Sequence, residues 1–137
     1  MRVLAVDHGE KKIGLALSDP TGTIANPLSV LPHISRDDDA ERVLALVEEH
    51  TVELIVVGQS YSDTGEPNLA GRRAAHFADA LRNKCNVPVE FWDESFSTQE
   101  ARAARLRMGA SKKQRGGHLD ALAATIILQS YLDAQET

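Results

Sequence analysis

The sequence has only one cysteine, Cys85, so no disulfide can close within the chain. A disulfide-stapled scaffold is excluded, and the composition suits a reducing compartment. Cys85 reads as a small residue near a helix end, not as a nucleophile. Long apolar runs are also missing. Nothing approaches the roughly 18 consecutive apolar residues of a membrane span, and the N-terminus meets Asp7 too early for a secretory leader. No membrane partner and a cytoplasmic location are therefore expected. The histidines His8, His33, His50, His76 and His118 lack any zinc-motif spacing, and most of them read as surface residues. Internal repeats, low-complexity tracts and domain boundaries are absent too. The 137 residues are expected to form one domain, 1–137, large enough to bury its own core.

The residues present are those of a globular protein, with 42% hydrophobic and 26% charged. Val3 to Val6 is a short β-branched run and predicts a buried central strand. His8-Gly9 breaks it. A second strand is expected from Lys11-Lys12 through Leu17, then a turn at Asp19-Pro20-Thr21-Gly22, then a third strand from Thr23 to Leu31. Pro27 lacks an N–H, which places that strand at a sheet edge. From Asp37 to His50 the apolar positions Ala40, Val43, Leu44 and Val47 follow helical spacing, with Asp37 to Asp39 at the favourable end of the dipole. Glu53 to Gly58 predicts a buried strand, 59–69 a loop, Arg72 to Lys84 a helix and Val87 to Trp92 the last strand. Ser97 or Thr98, with Glu100 as in a capping box, opens a helix to Met108 that Gly109 ends. A glycine- and lysine-rich loop is expected over 109–117. The final helix, His118 to Leu132, is apolar almost all round and so should pack on the sheet. A meander followed by alternating helices and strands implies an α/β fold, with a mixed sheet and helices on both faces.

Three places carry carboxylates that could do chemistry. Asp7 ends the first strand, where open α/β sheets gather functional groups, although a turn aspartate is an equal reading. Asp93-Glu94 ends the last strand, and at least one of the pair can reach a metal. Asp120 opens an apolar helix, where a carboxylate is costly unless paired or metal-bound, though aspartate is also common in a first turn. All three can converge at one end of one sheet. An oxygen-only donor set without a histidine or cysteine cluster suits Mg2+ or Mn2+. His8 and His118 stand beside these positions in the chain and are candidates to touch substrate.

The formal net charge of −5 speaks mildly against a nucleic-acid partner, but the basic residues are concentrated. Ala101 to Gly117 holds Arg102, Arg105, Arg107, Lys112, Lys113 and Arg115 with no acid between them. Lys11-Lys12 and Arg72-Arg73 add two pairs. Such a stripe beside a metal site can hold a phosphate backbone. The glycines around Ser111 to Arg115 point to a substrate-contacting loop.

These residues bear a resemblance. Val6-Asp7-His8-Gly9 with Lys12-Ile13-Gly14-Leu15-Ala16-Leu17-Ser18-Asp19, then Ile55-Val56-Val57-Gly58, then Asp93-Glu94-Ser95-Phe96-Ser97-Thr98-Gln99-Glu100-Ala101, then Asp120 to Ala124 with Ile127-Leu128-Gln129 and Tyr131-Leu132 succeed one another nearly end to end. In this order they resemble the YqgF/RuvX-like family of ribonuclease H-fold nucleases, described as Holliday junction resolvases or pre-16S rRNA nucleases. The resemblance implies a ribonuclease H-like five-stranded mixed sheet. It implies Asp7, Glu94 and Asp120 as catalytic metal ligands, and a nucleic-acid partner that is structured RNA or branched DNA. Lys11, Lys12, Arg72, Arg73, Lys112, Lys113, Arg115 and His118 are the expected nucleic-acid contacts. Ser95 stands where the family usually has arginine, Gln59-Ser60 where it has leucine-proline, and Lys12 where arginine is common.

The expected activity is metal-dependent phosphodiester hydrolysis, in 5′-end processing of pre-16S rRNA or alternatively on four-way DNA junctions, by a monomer or a homodimer. A phosphotransferase reading meets a size problem, because the Asp-x-Gly turn of sugar-kinase and actin-like domains comes with a second lobe. A non-catalytic nucleic-acid-binding module is the remaining rival, against which the three carboxylates speak.

Overall fold

A computed structural model of the chain describes the backbone at residues 1–97 and 112–135 and the side chains at 1–96 and 121–135. The elements are β1 (Val3–His8), β2 (Lys12–Ser18), β3 (Ala25–Pro32), α1 (Arg36–Glu49), β4 (Leu54–Gln59), α2 (Leu69–Lys84), β5 (Val89–Asp93), a 3-10 turn (Glu94–Ser97) and α3 (Lys112–Gln135). They build one mixed five-stranded sheet in the order β3-β2-β1-β4-β5. β1 pairs antiparallel with β2 and parallel with β4, β2 pairs antiparallel with β3, and β4 pairs parallel with β5. Pro27 does lie on an edge strand, next to a register shift between Leu15 and Ala16, where its missing N–H costs no ladder bond.

Side-chain alternation along the strands divides the interior into two cores. Leu4 and Val6 of β1 join Ile13, Leu15, Ile55 and Val57 under α1 and α2. Val3 and Ala5 join Ala16, Leu54 and Val56 under Ala124, Ile127, Leu128, Tyr131 and Leu132 of α3. Helices thus cover both faces, as expected. Polar contacts fix α3 in place: Gln129 Oε1 accepts from the Ala25 N–H at 2.9 Å, Trp92 Nε1 donates to Ser130 Oγ at 3.1 Å, and the Tyr131 hydroxyl donates to Glu90 Oε2 at 2.9 Å.

Local chemistry explains the boundaries. The β2–β3 turn holds Gly22 at φ +74°, and the Asp19 carboxylate gathers the N–H groups of Thr23 and Ile24 at 2.8 Å each. Those bonds, with the Thr21 hydroxyl, hold the Asp19 carboxyl far below its ordinary range. Ser35 caps α1 by accepting from the Asp38 N–H at 3.2 Å. α2 begins at Leu69, before the expected Arg72, because Asn68 caps it through the Gly71 N–H at 2.9 Å. The expected loop over 109–117 is overturned where it overlaps α3. That helix already runs from Lys112 and includes Gly116 and Gly117. Each interior glycine costs about 1 kcal/mol, but extending a helix anchored by a long apolar stripe gains a hydrogen bond per residue. The expected helix from Ser97 or Thr98 to Met108, with Glu100 and Arg102, Arg105 and Arg107, lies outside the described residues apart from Ser97, which closes the 3-10 turn. Among the described residues no helix is long and apolar enough to cross a membrane.

Phe77 is fully buried between α2 and the sheet and is the largest such side chain. Phe77→Ala should cost about 3–5 kcal/mol, the range for truncating a core aromatic. In urea the unfolding midpoint should fall steeply while the slope of the transition stays unchanged.

Candidate active site at the carboxyl end of the sheet

β1, β4 and β5 are mutually parallel, so their carboxyl ends share one edge of the molecule. Asp7 stands near the end of β1, opposite Gly14 of β2. The alternation that sends Val3 and Ala5 toward α3 sends Asp7 to the same face. Glu94 opens the 3-10 turn directly after β5. Between these two strands runs β4, which ends in Gly58-Gln59. A Cβ at Gly58 would lie 2.8 Å from Ile127 Cδ1 and 3.2 Å from Glu94 Oε1. A side chain there would require the Ile127 methyl to move and would crowd the Glu94 carboxylate. By pattern alone Gly58 is only the end of a strand, yet a glycine closing a fully buried strand is the signal of such a close approach.

The electrostatics couple the two acids. Burial drives the Glu94 carboxyl above its ordinary 4.5, and the charges of Asp7 and then Asp93 add to the effect. Asp93 has a job of its own, since its Oδ1 accepts the Ser95 N–H at 2.9 Å and shapes the turn. Asp120 belongs to α3, in helical register with Ala124, Ile127 and Tyr131, which face the sheet. Ile127 meets Gly58, whereas Tyr131 meets Glu90, two positions nearer the start of β5 than Trp92, the partner of Gly58. α3 therefore lies across β1, β2 and β3 and reaches Gly58 of β4 and the turn after β5, and moving back along it from Tyr131 to Ile127 leads toward the carboxyl edge. The Asp120 position lies on the right stripe and toward the right end; its side chain falls outside the described residues.

The expected nucleic-acid contacts divide in the same way. Lys11 and Lys12 are exposed on the β1–β2 turn, which is closed by the Gly9 N–H donating to the Lys12 carbonyl at 2.9 Å. A Cβ at Gly9 would lie 2.6 Å from that oxygen, so the turn requires glycine. Arg72 and Arg73 are exposed near the start of α2, which comes after the carboxyl end of β4. All four surround the edge that carries Asp7 and Glu94. Lys112, Lys113, Arg115 and His118 occupy the first turns of α3, and their side chains fall outside the described residues.

His8 corrects an expectation. It is next to Asp7 in the chain but projects to the other face of the sheet, where its ring lies 4.7 Å from that of Phe77. Burial and then the neighbouring His33 lower its pKa below the ordinary 6.5. His33 also departs from the reading of a plain surface residue, since its Nδ1 bonds the carboxylate of Asp39. Asp39 is itself buried, taken inward by its register with Val43 on the apolar stripe of α1. Its Oδ1 accepts from the Ile34 N–H at 3.0 Å and from Arg42. Burial works against its charge, and these bonds outweigh burial, holding it below its ordinary 3.8. The uncommon Gln59-Ser60 pair also has a structural role: Gln59 Oε1 accepts the Ser60 N–H at 2.8 Å, and Asn68 Nδ2 donates to Ser60 Oγ at 2.7 Å.

The sheet order and the helix layers define a ribonuclease H-like fold. RuvC of T. thermophilus, solved in complex with a Holliday junction substrate, superposes with a TM-score of 0.63 at 19% identity, covering 98% of this chain and 96% of that one. The Fowlpox virus resolvase, solved with Holliday junction DNA, superposes with a TM-score of 0.61 at 14% identity over 100% of both chains. Residues 1–134 match the family model described as "RuvX: Holliday junction resolvase", and the chain belongs to that family. Relatives named "Putative pre-16S rRNA nuclease" include one from Pelotomaculum thermopropionicum, 40% identical over 98% of this chain and 88% of its own length. One from Halothermothrix orenii is 35% identical over 98% of this chain and 96% of its own length.

The Glu94–Asp7 coupling makes a pH-dependent prediction. A folded carboxyl held above its ordinary 4.5 binds its proton more tightly in the native state, so stability is lost as pH rises past 4.5. Removing the Asp7 charge relieves part of that loss. In chelator, Asp7→Asn should melt higher than wild type at pH 7, and the difference should shrink toward zero below the ordinary Glu94 value. A melting difference that stays constant with pH would separate the two carboxylates.

Proposed function

We propose that this chain is a divalent-metal-dependent nuclease that hydrolyses phosphodiester bonds, with Mg2+ or Mn2+ held by Asp7, Glu94 and Asp120. The observation that carries the reading is the Asp7–Glu94 pair: two half-buried carboxylates, the charge of the first raising the proton affinity of the second, with Glu94 packed close over Gly58. Such a pair is costly without a cation and suits a hard one, since every donor in the set is oxygen. When bound, the metal activates water and stabilises the leaving oxygen. The chain's own residues supply position. β1 and the turn after β5 hold the two acids, Asp93 shapes that turn, and α3 presents the Asp120 position on its sheet-facing stripe.

Lys11, Lys12, Arg72 and Arg73 ring the same edge and would hold the phosphate backbone despite the acidic total charge. Lys112, Lys113 and Arg115 add positive charge at the N-terminal end of α3, an end that attracts phosphate and disfavours cations. The substrate is structured RNA or branched DNA. The 5′-end processing of pre-16S rRNA is favoured by the names of relatives at up to 40% identity over nearly the whole chain. A four-way DNA junction is the second reading, favoured by the description of the family itself. A symmetric junction calls for a homodimer with paired sites, an RNA end for a monomer. The pre-16S rRNA reading goes with a cytoplasmic protein.

Single-turnover cleavage tests the reading. Wild type should cut a pre-16S RNA or a four-way junction in Mg2+ or Mn2+. Asp7→Asn should stay folded, melting in chelator no lower than wild type, and cut more slowly by on the order of 100-fold or more, as when one electrostatic stabiliser of a transition state is removed. A variant that cuts at the wild-type rate makes Asp7 a turn residue. A wild type that binds both substrates and cuts neither makes the chain a binding module.

Salt dependence tests the α3 contacts. Replacing Lys112, Lys113 and Arg115 by alanine together should weaken nucleic-acid binding and flatten its salt dependence by roughly one unit of slope per lost phosphate contact. An unchanged slope would assign these three positions to solvent.

A further inference from the structure

On the face of β1 opposite Asp7, three segments distant in sequence bring together His8 from the end of β1, His33 just after β3 and Asp39 in the first turns of α1. A ring nitrogen of each histidine and a carboxylate oxygen of Asp39 all lie within 4.8 Å of one another. We propose that His8, His33 and Asp39 form a second metal site, for a transition-metal ion of the zinc type, separate from the carboxylate site across the sheet.

Four features support it. The donor set is two imidazoles and one carboxylate, which suits zinc and its neighbours and not Mg2+. The Asp39 carboxylate is already oriented, because Ile34 N–H and Arg42 both bond Oδ1 and leave Oδ2 facing His33; outer hydrogen bonds of this kind aim metal-binding carboxylates. His8 is held against the Phe77 ring, and its Nδ1 is buried with no hydrogen-bond partner among the described residues. His33 has 38% of its side chain exposed, which gives an ion a way in. Zinc bonds of about 2.0–2.2 Å require the exposed His33 ring to swing away from its hydrogen bond with Asp39 Oδ2, so that both atoms share the ion. The ion would replace the proton His33 shares with Asp39, releasing it to solvent, and a fourth position would stay open to water. Arg73 stands close enough to act on His8. Its charge penalises any cation, so the bonds to imidazole nitrogen must carry the affinity, which again selects against Mg2+. A bound ion would tie the ends of β1 and β3 to the start of α1, and so brace β1 one residue from Asp7.

Cobalt titration of the full chain, stripped with chelator, provides the test, with Co2+ as a coloured stand-in for zinc. In excess Mg2+, which occupies the carboxylate site, wild type should bind one equivalent of Co2+ with visible ligand-field absorption that zinc displaces. His33→Ala, at an exposed position, should weaken Co2+ binding by at least about 10–100-fold. His8→Phe, which keeps a ring on Phe77, should do the same. The double variant Asp7→Asn/Glu94→Gln should keep the spectrum, and His33→Ala should still cleave in Mg2+, so the outcome is independent of the nuclease reading. Absence of cobalt absorption in excess Mg2+, or wild-type affinity in both histidine variants, would overturn the proposal.

Discussion

β1 is the constraint on which the rest of the structure depends. It is the third of five strands, paired antiparallel on one side and parallel on the other, and Val3 to Val6 are buried on both faces. A strand in that position cannot slip by one residue without sending every side chain to the wrong core. The same register sets the direction of the two residues beyond the apolar run. Asp7 goes to the α3 side and His8 to the α1/α2 side, and adjacent residues serve different environments. The glycine-dependent turn after them brings Lys11 and Lys12 back over the same edge.

α3 depends on that sheet and completes it. Its apolar stripe covers one face, and its polar residues lock it to the two flanks, Gln129 to the start of β3 and Tyr131 to β5. Burial and the Glu90 carboxylate that accepts its hydrogen bond push the Tyr131 phenol up to about 12. Because Ile127 packs onto the backbone at Gly58, the helix sits at a defined height along β4. That height is what directs its N-terminal turns, with Asp120 and the lysines, toward the carboxyl edge.

The charge pattern obeys the same geometry. An overall −5 coexists with a basic rim, because much of the acid is used elsewhere. Asp19 holds a turn, Asp39 is buried under Arg42 and His33, and Asp37 and Asp38 open α1. The basic pairs stay exposed where strands end. Net charge speaks of solubility and long-range field; which surface meets an anion is decided by where the turns place individual cations.

Element types and most of their limits were legible in the residues alone, because period-2 and period-3.6 patterns, turn residues and Pro27 act locally. Asp7 and the Asp93-Glu94 pair were legible too, since polar residues closing buried strands interrupt an apolar pattern visibly. Local pattern misjudged Lys112 to Gly117, where two glycines argued for a loop and the helix behind them prevailed. Folding in three dimensions was needed to separate Asp93, which bonds its own turn, from Glu94, which feels the Asp7 charge. It also made Gly58 the space that Glu94 needs, and it brought His8, His33 and Asp39 together. Those relations join segments distant in the chain, and no local pattern records a distance that depends on how strands pair and helices cross.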